Sequence, residues 1–157
     1  MKTLVSLLTV VFILPAVLLT VSSCASSPPK AQLVDGKLRP CPDRPNCVSS
    51  ESDRSSSRVE PLTFKDPPEK AWGDLKEAIR ELGGTIREED DGYLWATFTS
   101  KIFRFVDDVE FRIILSAGMI HLRSGSRKGY SDLGVNRRRV EKLRALFYKK
   151  SGQESGR

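Results

Sequence analysis

The sequence predicts an α+β domain: a compact antiparallel sheet of four to five strands with two helices on one face. The expected order is strand, helix, four strands, helix. Three observations lead there. Apolar residues recur at helical spacing in two separated segments, Ala71 to Leu82 and Val140 to Phe147. Between those segments apolar and polar residues alternate, the period of a half-buried strand. Glycine-containing turn signals cut the middle region into pieces short enough for hairpins. Helices on one face of an antiparallel sheet then bury one side of each layer.

Each element follows from its residues. Arg58 to Phe64 reads as a short strand. Asp66 is placed to cap a helix, Pro67 suits the first helical position, and Glu69 completes a capping box. Ala71, Trp72, Leu75, Ala78, Ile79 and Leu82 supply its buried stripe, and Gly83-Gly84 ends it. Thr85 to Glu88 forms a strand, and Asp91-Gly92 is a hairpin signal. Tyr93 to Thr99 follows, with Leu94, Ala96 and Phe98 on the core face. Phe105 to Leu115 comes next, then a turn at Ser116-Ala117-Gly118 and a return from Met119 to Ser124. The last helix begins near Val135 or Asn136 and runs to Lys149. Val140, Leu143, Leu146 and Phe147 form its stripe, with Arg137, Arg138, Arg139, Lys142 and Arg144 mostly left to solvent.

The chain has 157 residues, 39% hydrophobic and 29% charged. That suits one modest domain and excludes a large two-domain enzyme, a collagen, a coiled-coil array or a polytopic membrane protein. Lys2 precedes an apolar run from Leu4 to Val21, and small residues follow, as in a secretory signal peptide. Val21-Ser22-Ser23-Cys24 resembles the bacterial lipobox. By that resemblance residues 1–23 are a lipoprotein signal, and Cys24 carries a diacylglyceryl thioether and an acylated amine with palmitate-type chains. Two or more chains anchor a protein stably. The competing reading, an uncleaved spanning helix, is weakened by Ser6, Thr9, Pro15 and Thr20. No aspartate follows Cys24, so the outer membrane, facing the periplasm, is the expected location in the cell envelope.

Residues 24–40 read as a tether, 41–149 as the domain with its core at 59–149, and 150–157 as a disordered tail. The serine-rich stretch 49–58 reads as a second flexible segment. With Cys24 lipidated, Cys41 and Cys47 remain as a pair. An oxidising envelope favours a disulfide, closing a seven-residue loop for about 2.4 kcal/mol. Free thiols and a metal pair are the alternatives. The spacing does not suit zinc, and His121 is the one histidine.

Three blocks stand out together: CPDRPNCVSS (Cys41 to Ser50), FRFVDDVEFRI (Phe103 to Ile113) and RSGSRKGYSDLGVNRRRVEKL (Arg123 to Leu143). In order and spacing they resemble the domain-of-unknown-function family numbered 1499, over about residues 40–149. The resemblance implies a small bacterial lipoprotein or exported protein. It brings no reaction, substrate or cofactor.

The third block is the richest in candidate binding residues. Arg123, Ser124, Ser126, Arg127, Tyr130, Ser131, Asp132 and Asn136 crowd a strand end and the loop to the last helix. Arg127 and backbone amides would bind an anion there, oriented by Tyr130 and Asp132. The plain alternative is a buried salt bridge plus a helix cap from Asp132 or Asn136. Asp107 and Asp108 are placed to meet Arg127, but alternation sends them to opposite faces, which argues against a carboxylate dyad. A serine hydrolase would need His121 to reach Ser124 or Ser126, and no nucleophile-elbow pattern exists. The face opposite the helices should carry Tyr93, Trp95, Thr97, Glu110, Arg112, His121 and Arg123, an open aromatic and basic surface.

The chain carries +6, and +5 once Lys2 leaves with the signal. Export makes nucleic acid an implausible partner despite the basic last helix. An anionic lipid, lipopolysaccharide, a cell-wall acid or an envelope protein fits better. No catalytic residue, metal or cofactor is expected. The reading is a membrane-anchored, non-enzymatic binding or docking module. The alternative is an envelope enzyme acting on lipid or cell-wall fragments through Arg127, Tyr130, Ser131 and Asp132. A redox role for Cys41 and Cys47 is weaker, because the C-x-x-C spacing is missing.

Overall fold

The computed structural model describes residues 33–153. The expected signal peptide, Cys24, most of the tether and the last four residues lie outside them. The architecture is α+β, as expected: an antiparallel sheet with two helices packed against it. The strands are β1 (Cys47–Ser49), β2 (Leu62–Thr63), β3 (Thr85–Asp90), β4 (Tyr93–Thr99), β5 (Val106–Ile114) and β6 (Met119–Ser126). The helices are α1 (Pro68–Glu81) and α2 (Val135–Ser151). Sheet order is β1-β6-β5-β4-β3, and β2 also pairs with β6. Only Leu62 and Thr63 of the strand expected at 58–64 join the ladder, while β1 was not expected from the sequence.

Register decides everything that follows. Leu94 lies opposite Phe111, Ala96 opposite Val109 and Phe111 opposite Leu122. These side chains share the helix-facing side of the sheet and pack on Leu75, Ile79, Val140, Leu143 and Phe147, all buried. The other side carries Tyr93, Trp95, Asp108, Glu110, Arg112, His121 and Arg123 by the same period of two.

The start of α1 departs from expectation. Asp66 and Glu69 form no capping box, and no side chain caps the helix. Pro67 and Pro68 lack two of the amides that a cap would satisfy. Asp66 instead accepts from Lys70 Nζ at 3.0 Å. The C-terminus behaves as expected. Gly84 N–H donates to Ile79 C=O and Gly83 N–H, at φ +85°, to Arg80 C=O. A Cβ on Gly84 would stand 2.5 Å from the Phe98 ring and 2.8 Å from Ile79 Cγ2. Gly84→Ala is therefore expected to destabilise the domain by about 1–3 kcal/mol through overpacking. Thermal melts check this, and an unchanged Tm would mean that the helix end can lift off β4.

α2 runs to Ser151, past the expected end at Lys149. Lys150 sits within it and meets Glu81 of α1 at 2.8 Å. Two of its basic residues are not left to solvent. Arg144 is buried and donates to the carbonyls of Glu60 and Pro61. Arg139 is drawn to Asp107. Exposed Arg137 also donates to two carbonyls, those of Ser56 and Arg58. Irregular backbone needs donors wherever no ladder supplies them.

The stretch 49–58 is built into the fold rather than hanging free. Ser49, Ser50 and Ser57 are buried. Ser49 N–H donates to Ser57 C=O, and Ser50 Oγ accepts from Leu122 N–H at 2.9 Å. Leu38 and Arg39 ahead of β1, and Glu51 after it, lie over the sheet face opposite the helices, so that face is not open. Leu38 packs on Tyr93 and Trp95, and both aromatics are buried. A Cys41–Cys47 disulfide closes this segment's loop.

Candidate functional site

Polar side chains gather on both sides of the sheet. On the covered face, Glu110 is fully buried. Its Oε1 accepts from Tyr93 OH at 2.9 Å, and its Oε2 from Arg123 at 2.8 Å and Arg39 at 3.2 Å. Burial, with Glu110 beside it, raises the Tyr93 phenol pKa far above its ordinary value. Glu51 accepts from Leu38 N–H at 2.7 Å and pairs with Arg112. Asp108 accepts from Trp95 Nε1 at 2.8 Å and takes both Nε (2.9 Å) and Nη2 (2.8 Å) of Arg127. That fork holds the guanidinium 5.8 Å from the Trp95 ring and raises the Arg127 pKa.

On the helix-facing side, Asp107, Ser124 and Ser126 interrupt the apolar surface at one end of the sheet. Asn136 of α2 is fully buried above them. Its Oδ1 accepts from Ser124 Oγ and Arg139 Nη1, both at 2.6 Å. Its amide nitrogen donates to Ser126 Oγ and to Asn46 C=O, both at 3.0 Å. Arg139 completes the set by donating to Asp107 at 2.5 Å, 4.9 Å from the Phe98 ring. This network ties α2 to β5, β6 and the segment ahead of β1.

The candidate residues therefore divide between two faces. Asp107, Ser124, Ser126 and Asn136 meet on one side, while Trp95, Asp108, Arg123 and Arg127 lie on the other. Asp108 meets Arg127, but Asp107 meets Arg139 instead. Trp95 is a buried donor to Asp108, not an exposed aromatic. Asp132 acts as a cap, accepting from Gly134 N–H at 2.9 Å and Asn136 N–H at 2.7 Å. Ser131 Oγ accepts from Leu133 N–H at 3.2 Å, and Tyr130 is exposed. These partners are separate, so Arg127, Tyr130, Ser131 and Asp132 are not joined by hydrogen bonds to one another. Among the described residues, no group of three His, Cys, Asp or Glu side chains could hold a metal ion.

His121 reaches neither Ser124 nor Ser126, because alternation places it on the opposite face. Its Nδ1 lies 3.0 Å from Ser50 Oγ. Burial lowers its pKa from 6.5, with Arg112 and Lys37 lowering it further and Glu51 opposing them. The folded state thus resists a proton that the unfolded chain accepts. Stability from this group is complete above the unfolded pKa and is lost as pH falls below 6.5 toward the lower folded value. His121→Gln should flatten that part of the profile in urea unfolding between about pH 7.5 and pH 5. Parallel profiles for parent and variant would contradict the assignment.

A concavity beside the Asp107–Arg139 pair was not singled out by sequence. A cleft of about 430 Å³ opens between the C-terminal end of α1, the end of β4 and the first turns of α2. Leu82 and Phe98 give it an apolar wall, and Lys101, Arg138, Arg139 and Lys142 line it with cations. Asp107 is its one acidic lining residue, and Asp107 is paired with Arg139. Lys101 and Lys142 form no ion pair among the described residues, and Arg138 donates to Leu133 C=O at 2.9 Å. The cleft is chemically suited to an anion. The signal for Arg138 and Lys142 was present in the basic helix, while Lys101 arrives from a loop distant in sequence.

No curated protein and no solved structure matches the chain. Residues 37–147 match a family model described as "Protein of unknown function (DUF1499)", close to the span expected from the three sequence blocks. That match covers well over half of the sequence, and the chain belongs to this family.

Proposed function

We propose that the protein is a lipid-anchored module of the bacterial envelope whose domain binds an anionic group in the cleft beside α2. The observation that carries this reading is the charge imbalance of that cleft. Three cations, Lys101, Arg138 and Lys142, face a concavity whose single carboxylate is already paired. Phosphates and carboxylates of the envelope supply the matching charge. The anchor is Cys24, after the small residues Val21-Ser22-Ser23, and the location is the outer membrane facing the periplasm. Pairing of Cys41 with Cys47 suits an oxidising compartment. The domain works by holding its ligand rather than by transforming it.

Titration of the full-length protein with glycerol 3-phosphate, followed by amide chemical shifts, tests the cleft. Shifts should cluster at Lys101, Arg138 and Lys142 and weaken with salt. Arg138→Glu with Lys142→Glu should reduce affinity by about tenfold or more at an unchanged Tm. Absent or scattered shifts would end this reading. The denatured mass of protein taken from its own membranes tests the lipid on Cys24.

A further inference from the structure

The loop between β4 and β5 exposes Ile102 (83%), Phe103 (73%) and Phe105 (55%) to solvent. The Phe103 and Phe105 rings stack on each other at 5.7 Å, at the surface rather than in the core. Leu133, on the loop before α2, is 83% exposed at the same end of the sheet. Lys101 of the first loop and Val135, the first residue of α2 after the second, line the same cleft. Apolar side chains of this size, gathered at one end of a small domain, mark an interaction surface.

Two further features select the partner. Arg104 and Leu133 both hold left-handed backbone, at φ +56° and +53°, which bulky residues rarely adopt. Cations accompany the apolar tips. Lys101, Arg104 and Lys128 form no ion pair among the described residues, and Asp107 and Asp108 are paired with Arg139 and Arg127. Aromatic and aliphatic tips accompanied by unpaired lysine and arginine match the bilayer interface. There the rings enter the acyl boundary and the cations meet anionic headgroups. A protein groove would need acidic side chains beside apolar pockets to match the same layout.

We propose that the 101–105 loop, with Leu133, inserts into the headgroup region of an anionic bilayer, so that the cleft behind it receives a lipid phosphate. This deepens the anion-binding reading and rests on it for the identity of the ligand. β4 and β5 then run away from the lipid surface, and Leu115, at the far end of β5, points away from it.

The test uses the full-length chain reconstituted into vesicles of brominated phosphatidylcholine, with or without phosphatidylglycerol. Phe103→Trp adds a reporter at the loop, and Leu115→Trp adds one at the opposite end. Emission above that of Trp72 and Trp95 is measured. At position 103 it should shift to the blue and fall about twofold in vesicles containing phosphatidylglycerol, because bromine quenches only at close range. At position 115 it should be unchanged. No quenching at 103, or equal quenching at both positions, overturns the insertion. Quenching at 103 that is equal in neutral vesicles and persists in Arg138→Glu/Lys142→Glu overturns the anionic-bilayer proposal, and the glycerol 3-phosphate titration then decides the anion-binding reading by itself. An unquenched loop with intact glycerol 3-phosphate binding removes insertion alone.

Discussion

Glu110→Ala is expected to cost about 3–5 kcal/mol of folding stability, the largest effect of any single polar substitution in this domain. The carboxylate is fully buried and serves Tyr93, Arg123 and Arg39 together. Its removal leaves the Arg123 guanidinium buried without a counter-charge and the Tyr93 hydroxyl without an acceptor. Both pay desolvation with no return. The control is the paired change Glu110→Met with Arg123→Met, which removes both charges and keeps the volume. It should recover part of the loss, because the buried guanidinium leaves with its counter-charge, while the Tyr93 hydroxyl and Arg39 still lack their acceptor. Urea unfolding of the three proteins separates these cases. A loss below about 1 kcal/mol in Glu110→Ala would mean that water reaches the site and that the covering segment is not closed.

Asn136→Leu is expected to cost about 3 kcal/mol, although the side chains are similar in size. Asn136 uses its oxygen for Ser124 and Arg139 and its nitrogen for Ser126 and the Asn46 carbonyl. Leucine strands those partners beneath a helix. Asn136→Asp keeps the acceptor side and adds charge toward Arg139, so it should fall between parent and Leu. The order parent, Asp, Leu in denaturant midpoint is the expected result. A Leu variant as stable as the parent but defective in ligand binding would instead make this cluster part of a binding surface.

The elements that could be read from sequence are those whose pattern is local. α1, α2 and the strands β3 to β6 announce themselves by period, and even the opposed directions of Asp107 and Asp108 follow from alternation. What lies over a face is not local. Alternation places Tyr93 and Trp95 together on one side of β4, yet their cover, Leu38, comes from more than fifty residues earlier. The serines of 49–58 have the composition of a solvated linker. The same residues also suit an irregular layer whose backbone groups are satisfied by its own turns, and only β6 decides between them. Arg139 and Arg144 read as solvent-facing because helical stripes are drawn from apolar residues, while the carbonyls and the carboxylate that bury them lie elsewhere in the chain. The 101–105 loop is illegible in the sequence for a related reason. Phe105 reads as the first residue of a strand, and its exposure emerges only once β5 is seen to begin at Val106.

β6 is the partner of three other strands. β1 pairs with it at residues 123–125, β2 at residues 119–120, and β5 along its whole length. In β1 and β2 the partners come from some sixty to eighty positions earlier, whereas β3, β4 and β5 find one another within hairpins. During synthesis the early strands must therefore wait, unpaired, for the last strand to emerge. Contacts of such long separation also slow folding. A chain cut short before Met119 loses all three pairings at once, so premature termination leaves no smaller stable version of this sheet. It releases a segment for clearance by proteases.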